Sequence, residues 1–222
     1  MDTFIYTFFN LDIMAQALPL LLKGAVTTLQ LCAVVIVAGL AGGLALALAA
    51  LSRNAALHWS AVVFIDLFRA LPPLVLLVFV YSGLPFAGLR LSPFMAVVIA
   101  FFLNNSAYFA EVFRAGINAV PKGQTEAARA TGLSPAQTMG FVVLPQAVRN
   151  VLPDLLSNTV EVVKLTSLAS VVSLSELLYS ANMARSVTYN ASPLVLAAGM
   201  YLIVLWPLVR VISRYQRGLA VT

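Results

Sequence analysis

Charge is scarce in this sequence: only 9% of its 222 residues are Asp, Glu, Lys or Arg, whereas 61% are hydrophobic. A soluble domain usually carries about 25% charged residues, which it needs to cover its surface. The scarcity therefore excludes a soluble globular protein and indicates a chain that folds in lipid. Basic residues outnumber acidic ones, thirteen to eight, but they lie between apolar runs and form no patch, so nucleic acid is not an expected partner.

Cysteine and histidine occur once each, as Cys32 and His58. A single cysteine excludes a disulfide within the chain, and its place in an apolar run indicates a buried structural thiol. No cluster of ligand residues suggests a metal site, and we expect no cofactor in this chain. The glycine-rich stretch at 38–43 has no lysine and lies in an apolar run, which excludes ATP binding through a P-loop. Residues 1–10 lack a basic region and a cleavage site, so no cleaved signal peptide is expected.

Long apolar runs are what the sequence does contain. A helix needs about 20 mostly apolar residues to cross the hydrocarbon core of a membrane. The runs predict an all-α integral membrane protein with about five transmembrane helices in a single domain over residues 1–222. The predicted spans are residues 22–51, 59–83, 92–115, 150–175 and 190–212.

Local composition predicts features within and between these spans. Two consecutive prolines, Pro72 and Pro73, predict a kink or break in the second span. Small residues at 38–49 predict close helix packing by the first span. Residues 82–92 and 181–193 contain Gly, Pro, Ser and Asn, which predicts short loops.

The basic residues predict the orientation, because Lys and Arg are enriched in cytoplasmic loops. With the N-terminus outside and the C-terminus in the cytoplasm, only Lys23, Arg90 and Arg185 fall outside. The basic residues then placed at the cytoplasmic side are Arg53, Arg114, Lys122, Arg129, Arg149, Arg210, Arg214 and Arg217. The reverse orientation inverts this count, so the N-terminus is predicted to lie outside.

One long polar segment, residues 118–146, separates the third and fourth spans and falls in the cytoplasm by this orientation. Good helix formers at 124–130 predict a first short helix, in which Glu126 and Arg129 are spaced to form an ion pair. Gly132 suits the left-handed position just past a helix end. The first half of the segment therefore predicts a helix followed by a tight turn.

The second half of the segment begins with a capping box. Ser134 stands three residues before Gln137, and Pro135 occupies the favoured first turn of the helix. Pro145 is expected to end this second helix. Connections between helices usually run to about 2–8 residues, so a longer ordered segment favours a docking surface over a mere connector.

The same segment carries a family resemblance. It reads Glu126-Ala127-Ala128, three residues, Gly132, nine residues, then Val142, any residue and Leu144-Pro145. This pattern resembles the EAA motif of the permease subunits of ABC importers, in which isoleucine is common where Val142 stands. Residues 68–85, 107–134 and 164–172 further resemble the polar amino acid uptake branch. The chain departs from that branch at Ala70-Leu71, where Gly-Thr is usual, and at Leu165, where many relatives have Asp or Asn.

The resemblance implies a type I ABC importer permease fold in the bacterial inner membrane, and a division of labour. Two permease subunits, identical or related, would enclose the translocation path, and an extracytoplasmic binding protein would deliver the amino acid. ATPase subunits would bind ATP and Mg²⁺ and dock on the coupling segment, so this chain is expected not to be an enzyme. The residues assigned to docking are Glu126, Ala127, Ala128, Gly132, Leu144 and Pro145.

Polar residues within the spans are candidates for the substrate path, because an ionisable group in the bilayer should face a cavity or a partner. Glu161 and Lys164 share one face of the fourth span; they either meet a zwitterionic substrate or neutralise each other. The other candidates are Asn104, Asn105 and Tyr108 in the third span and Thr166 and Ser167 in the fourth. Hydrogen bonding between helices is the alternative role for the third-span residues.

Two further spacings predict structural ion pairs, Asp66 with Arg69 and Glu111 with Arg114. An ion-coupled secondary carrier and a channel subunit are the alternative functions. A carrier commonly shows an internal repeat, and we find none in this sequence. Neither the amino acid carried nor the identity of the second permease follows from the sequence.

Overall fold

The structure is a computed structural model that describes residues 2–219, and the side chains of Asp2, Tyr215 and residues 217–219 lie outside its description. Both ends of the predicted domain 1–222 therefore lie outside the described residues, as does the side chain of Arg217, which the predicted orientation places in the cytoplasm. Every regular element that the structure describes is helical, which confirms the all-α prediction. The α-helices are α1 (Asp2–Phe8), α2 (Leu11–Ala50), α3 (Ala55–Ala70), α4 (Pro73–Val78), α5 (Pro93–Asn118), α6 (Lys122–Ala130), α7 (Pro135–Thr138), α8 (Leu144–Leu165), α9 (Leu177–Thr188) and α10 (Ser192–Leu219).

Four of the described helical runs are long and apolar enough to cross a membrane. They are Thr3–Ala50, Pro93–Asn118, Pro135–Val172 and Ser192–Arg214. A fifth span is reached when the bent pair Ala55–Ala70 and Pro73–Ala87 counts as one. The prediction of about five transmembrane helices is confirmed.

The helices and loops differ in extent from several of the predicted segments. The first span, predicted at 22–51, belongs to a helix that already begins at Leu11 and contains Pro19. The helix therefore begins eleven residues before the predicted span, and Lys23 near the start of that span is exposed on the helix surface. The second span, predicted as 59–83, breaks at the prolines as expected, and its helical run continues as π and 3₁₀ turns to Ala87. The loop predicted at 82–92 is therefore confined to 88–92.

The loop predicted at 181–193 is wrong over most of its length, because α9 extends to Thr188. Polar side chains in α9 donate hydrogen bonds to carbonyls of their own helix, Ser186 to Asn182 and Thr188 to Ala184. These polar residues therefore do not end the helix. Its start is capped by the buried Glu176 carboxylate, which accepts hydrogen bonds from the Leu178 and Tyr179 amides at 2.9 and 2.7 Å.

The chain forms two compact units. The terminal unit contains Met1–Ile36, Pro72–Phe101 and Val160–Thr222, and the coupling unit contains Val37–Leu71 and Phe102–Thr159. The single domain predicted over residues 1–222 stays a prediction. In the terminal unit, the first half of α2 packs against α9 and α10 through the buried residues Ala17, Leu21, Leu177, Ala181, Ala184 and Ala197.

The coupling unit depends on a close approach between the second half of α2 and α5. A Cβ added at Gly43 would lie 2.5 Å from the Phe109 Cβ and 3.0 Å from the Ala110 amide nitrogen. Similarly, a Cβ at Gly42 would lie 2.8 Å from the Phe102 ring. The small residues of the first span therefore do allow the close helix packing that the sequence predicts.

Candidate functional site: the coupling segment and the polar residues of the spans

The coupling segment, residues 118–146, lies in the coupling unit and begins with α6. This helix ends at Ala130, and Gly132 follows with φ of 88°, in the left-handed region that favours glycine. The Gly132 amide donates to the Arg129 carbonyl at 3.1 Å, and the Thr131 amide to the Ala127 carbonyl at 3.2 Å. The tight turn predicted at Gly132 is therefore present.

The predicted capping box is also present at the start of α7. The Gln137 amide donates to Ser134 Oγ at 3.3 Å, and the Ser134 amide donates to Gln137 Oε1 at 2.9 Å. Pro135 occupies the first turn. Two reciprocal hydrogen bonds thus satisfy backbone donors that the helix cannot satisfy itself.

The ion pair predicted between Glu126 and Arg129 does not form. Arg129 Nη1 instead donates to the Leu133 carbonyl at 2.8 Å. This bond spans the turn at Gly132, so the guanidinium stabilises the turn itself. The ion pairs between described side chains are Arg69–Glu111, Arg114–Glu111 and Lys164–Glu161.

Pro145 does not end the second helix, contrary to the prediction. The chain stays helical from Pro135 through a π turn at Met139–Val143 into α8. Pro145 has no amide hydrogen, and in a regular α-helix its ring would clash with the carbonyl four residues earlier. The π turn accommodates the proline. Its hydrogen bond joins residues five positions apart instead of four, from the Leu144 amide to the Met139 carbonyl.

An apolar cluster anchors the segment to its own unit. Ile117, Val120, Val143 and Ala147 are buried together, with Met139 and Leu144 packed against them. The opposite surface is exposed at Glu126, Ala127, Gly132 and Pro145. Of the six predicted docking residues, Ala128 is buried, and Leu144 is half-buried and packs against the apolar cluster. The coupling segment is thus anchored on one side, and four of the six predicted docking residues are exposed on its surface.

Sequence reasoning missed one exposed aromatic beside this surface. Phe141 lies in the π turn, and the residue is 73% exposed. A regular helical period does not predict this position, because the π turn shifts the face that each following residue presents. Only the proline at 145 could have indicated such an irregularity.

A charged cluster joins α3 and α5. Arg114 donates to both oxygens of the Glu111 carboxylate, at 2.9 and 2.8 Å, which confirms that predicted pair. The pair predicted between Asp66 and Arg69 is wrong: Arg69 lies 3.9 Å from the Glu111 carboxylate. Glu111 therefore forms ion pairs with two cationic side chains, Arg114 from its own helix and Arg69 from α3.

The third-span candidates lie together on α5 within the coupling unit. Asn104 and Asn105 are buried, whereas Tyr108 is 39% exposed. Asn104 Nδ2 donates to the Phe68 carbonyl at 2.9 Å, and Tyr108 Oη donates to the Arg69 carbonyl at 3.3 Å. Asn104 Oδ1 has no hydrogen-bond partner among residues 2–219. The hydrogen bonds between helices that the sequence allowed are therefore present for Asn104 and Tyr108.

The fourth-span candidates lie in the terminal unit. Lys164 Nζ donates to Glu161 Oε1, and both side chains are about half exposed. Thr166 is buried and donates to the Val163 carbonyl at 2.7 Å, while Ser167 donates to the Lys164 carbonyl at 2.8 Å. The structure thus pairs the two charges and leaves both accessible from outside the unit.

Comparison with known proteins identifies the class. The chain matches the family described as "Binding-protein-dependent transport system inner membrane component" over residues 39–218. It therefore belongs to this family of membrane permease components. The prediction of an ABC importer permease subunit is confirmed, and the carrier and channel alternatives receive no support.

Individual relatives agree with this class. The probable amino-acid ABC transporter permease protein YckA of Bacillus subtilis (strain 168) is 40% identical over 173 residues, 78% of this chain and 76% of that protein. The arginine transport system permease protein ArtQ of the same organism is 36% identical over 196 residues, 86% of this chain and 90% of that protein. The chain resembles both over most of their length.

Solved structures confirm the fold. The crystal structure of an amino acid ABC transporter with histidines matches with a TM-score of 0.84 and 34% identity, covering 92% of this chain and 96% of that one. An inward-facing MetNI methionine ABC transporter matches with a TM-score of 0.77 at 22% identity, covering 90% and 96%. The predicted type I importer permease fold is thus confirmed.

Proposed function

We propose that this chain translocates a polar amino acid as one of two permease subunits, powered by separate ATPase subunits that bind ATP and Mg²⁺. The observation that carries the proposal is the coupling segment, whose inner side is anchored by a buried apolar cluster while its outer side is exposed. An exposed helix–turn–helix that is packed against its own unit can transmit a movement of a docked protein to the helices on either side. The relatives' described roles in amino-acid and arginine transport support the substrate class.

The orientation belongs to the same proposal. Lys122 and Arg129 lie on α6, Arg114 near the end of α5, and Arg53 just after α2. With these basic residues at the cytoplasmic side of a bacterial inner membrane, the coupling segment faces the compartment that supplies ATP. The opposite side is then free to receive an extracytoplasmic binding protein that delivers the amino acid.

The paired charges of the fourth span offer a substrate contact. Glu161 and Lys164 could exchange their mutual ion pair for the ammonium and carboxylate of a zwitterionic amino acid, because both are exposed. An exposed ion pair is worth only about 0–1 kcal/mol, so opening it costs little. We therefore place Glu161, Lys164, Thr166 and Ser167 on the substrate path.

Glu161→Gln should weaken apparent substrate affinity in ATP-driven uptake by about tenfold, because a charge-assisted hydrogen bond contributes about 1.5–3 kcal/mol. Uptake of a panel of labelled acidic, neutral and basic amino acids into proteoliposomes carrying the assembled transporter would measure this. Ser186→Ala on α9 is the control, since Ser186 donates to the Asn182 carbonyl of its own helix. Unchanged affinities across the panel for Glu161→Gln would leave this residue a purely structural role.

A further inference from the structure

The break between α3 and α4 leaves backbone carbonyls without their usual donors. Helix α3 ends at Ala70, and Leu71 is extended, with φ of −78° and ψ of 128°, the conformation favoured for a residue before proline. In a continuing helix, the amides of residues 72 and 73 would donate to the carbonyls of Phe68 and Arg69. Both residues are prolines and have no amide hydrogen. Phe68 and Arg69 therefore need donors from elsewhere.

Two side chains of α5 supply a donor to each of these carbonyls. Asn104 Nδ2 lies 2.9 Å from the Phe68 oxygen, and Tyr108 Oη lies 3.3 Å from the Arg69 oxygen. Asn104 and Tyr108 are four residues apart, so they lie one turn apart on one face of α5. Their spacing along α5 thus matches the two successive carbonyls that the prolines leave open.

Further contacts hold the same end of α3 against α5. The Arg69 guanidinium lies 5.7 Å from the centroid of the Tyr108 ring and 3.9 Å from the Glu111 carboxylate. Arg114 fixes that carboxylate from the other side. Tyr108 therefore contacts Arg69 twice, by its hydroxyl at the backbone and by its ring at the side chain.

We propose that Asn104 and Tyr108 are positioning residues that clamp the end of α3 at the proline break, and that they act on transport through this break. The chain passes from the coupling unit to the terminal unit between Leu71 and Pro72, so the clamp holds the last turn before that crossing. The Tyr108 hydroxyl hydrogen and one of the two Asn104 amide hydrogens are donated to backbone carbonyls, and Asn104 is buried. This assignment replaces a substrate contact for the two residues and rests on the permease function only for its transport measurement.

The test is a distance measurement across the break in the assembled transporter in lipid. Spin labels are placed at Val63 on α3 and at Phe79 after α4, both exposed to more than half of their area, in a Cys32→Ala background that has no other cysteine. Asn104→Leu and Tyr108→Phe each remove one donor while keeping the side chain's shape. We expect each to broaden or shift the distance distribution, and the double variant to do so further.

Two matched controls remove polar atoms of the same kind elsewhere. Ser106→Ala removes a hydroxyl of α5 that donates to the Phe102 carbonyl of its own helix. Tyr81→Phe removes a hydroxyl that makes no hydrogen bond to the described residues. Both should give the distance distribution of the unmodified protein.

Transport separates positioning from substrate contact. Loss of either clamp donor should lower the maximal ATP-driven uptake rate roughly three- to tenfold and leave the apparent KM within about twofold. An unchanged distance distribution in Tyr108→Phe would overturn the proposal, whatever the transport rate. A raised KM with an unchanged distribution would assign these residues to the substrate instead. Tyr108→Phe decides the matter if Asn104→Leu does not assemble, because it keeps the ring over Arg69.

Discussion

Gly132→Asp is expected to reduce ATP-driven uptake by at least about tenfold, the equivalent of 1.4 kcal/mol, while the protein still inserts into the membrane. A Cβ at Gly132 would meet nothing within 4 Å, so the side chain fits the isolated chain. The backbone φ of 88° makes any side chain there unfavourable by about 1–2 kcal/mol. The new carboxylate would also lie on the exposed face that we assign to ATPase docking. Uptake into proteoliposomes and the amount of ATPase that copurifies would measure the effect.

Gly88 offers a matched control for this substitution. Its φ is 84°, and a Cβ there would also meet nothing within 4 Å, but it lies in the loop after the second span. Gly88→Asp therefore introduces the same strain and charge away from the coupling segment. The Gly88→Asp variant should retain the ATPase. Normal ATP-driven uptake by Gly132→Asp would show that the ATPase does not dock at Gly132.

Gly43→Ala is expected to give the second large effect, as a loss of stability. The added methyl would lie 2.5 Å from the Phe109 Cβ and close to backbone atoms of α5, which cannot move aside as a flexible side chain can. Overpacking of this kind typically costs about 1–3 kcal/mol. The midpoint of thermal unfolding of the purified protein in detergent should fall by several degrees. Gel filtration after heating, which measures the fraction of protein that is still folded, gives this midpoint.

The control for Gly43 is a glycine of α10 in open surroundings. A Cβ at Gly199 would meet nothing within 4 Å, and glycine within a helix costs about 0.5–1 kcal/mol relative to alanine. Gly199→Ala should therefore raise the thermal midpoint slightly, the opposite sign to Gly43→Ala. Equal midpoints for the two variants would show that α2 and α5 do not depend on this close approach.

Features set by neighbouring residues could be predicted from the sequence. The capping box of Ser134 and Gln137, the turn at Gly132 and the break at Pro72–Pro73 are all confirmed. Each depends on backbone donors and acceptors within about one helical turn, and Gly and Pro restrict the backbone directly. Local chemistry was sufficient at these positions.

Features that depend on packing could not be predicted in the same way. Pro145 does not end its helix because a π turn accommodates it, and nothing in the sequence distinguishes a proline so accommodated from one that ends a helix. Arg69 pairs with Glu111 instead of Asp66 because α3 packs against α5, which periodicity within one helix does not reveal. The roles of Asn104 and Tyr108 at the α3 end depend on the same packing.

We propose that this permease subunit is driven by an ATPase docked on its coupling segment. A pull-down of the tagged chain from detergent-solubilised native membranes, followed by mass spectrometry, tests it most directly, with the Gly132→Asp chain treated in parallel. We expect an ATPase subunit with the unmodified chain and its loss with the variant, while a second permease copurifies with both if the partner is a related chain. A stable oligomer of this chain that never retains an ATPase would show that transport is not driven by an ATPase docked on this segment.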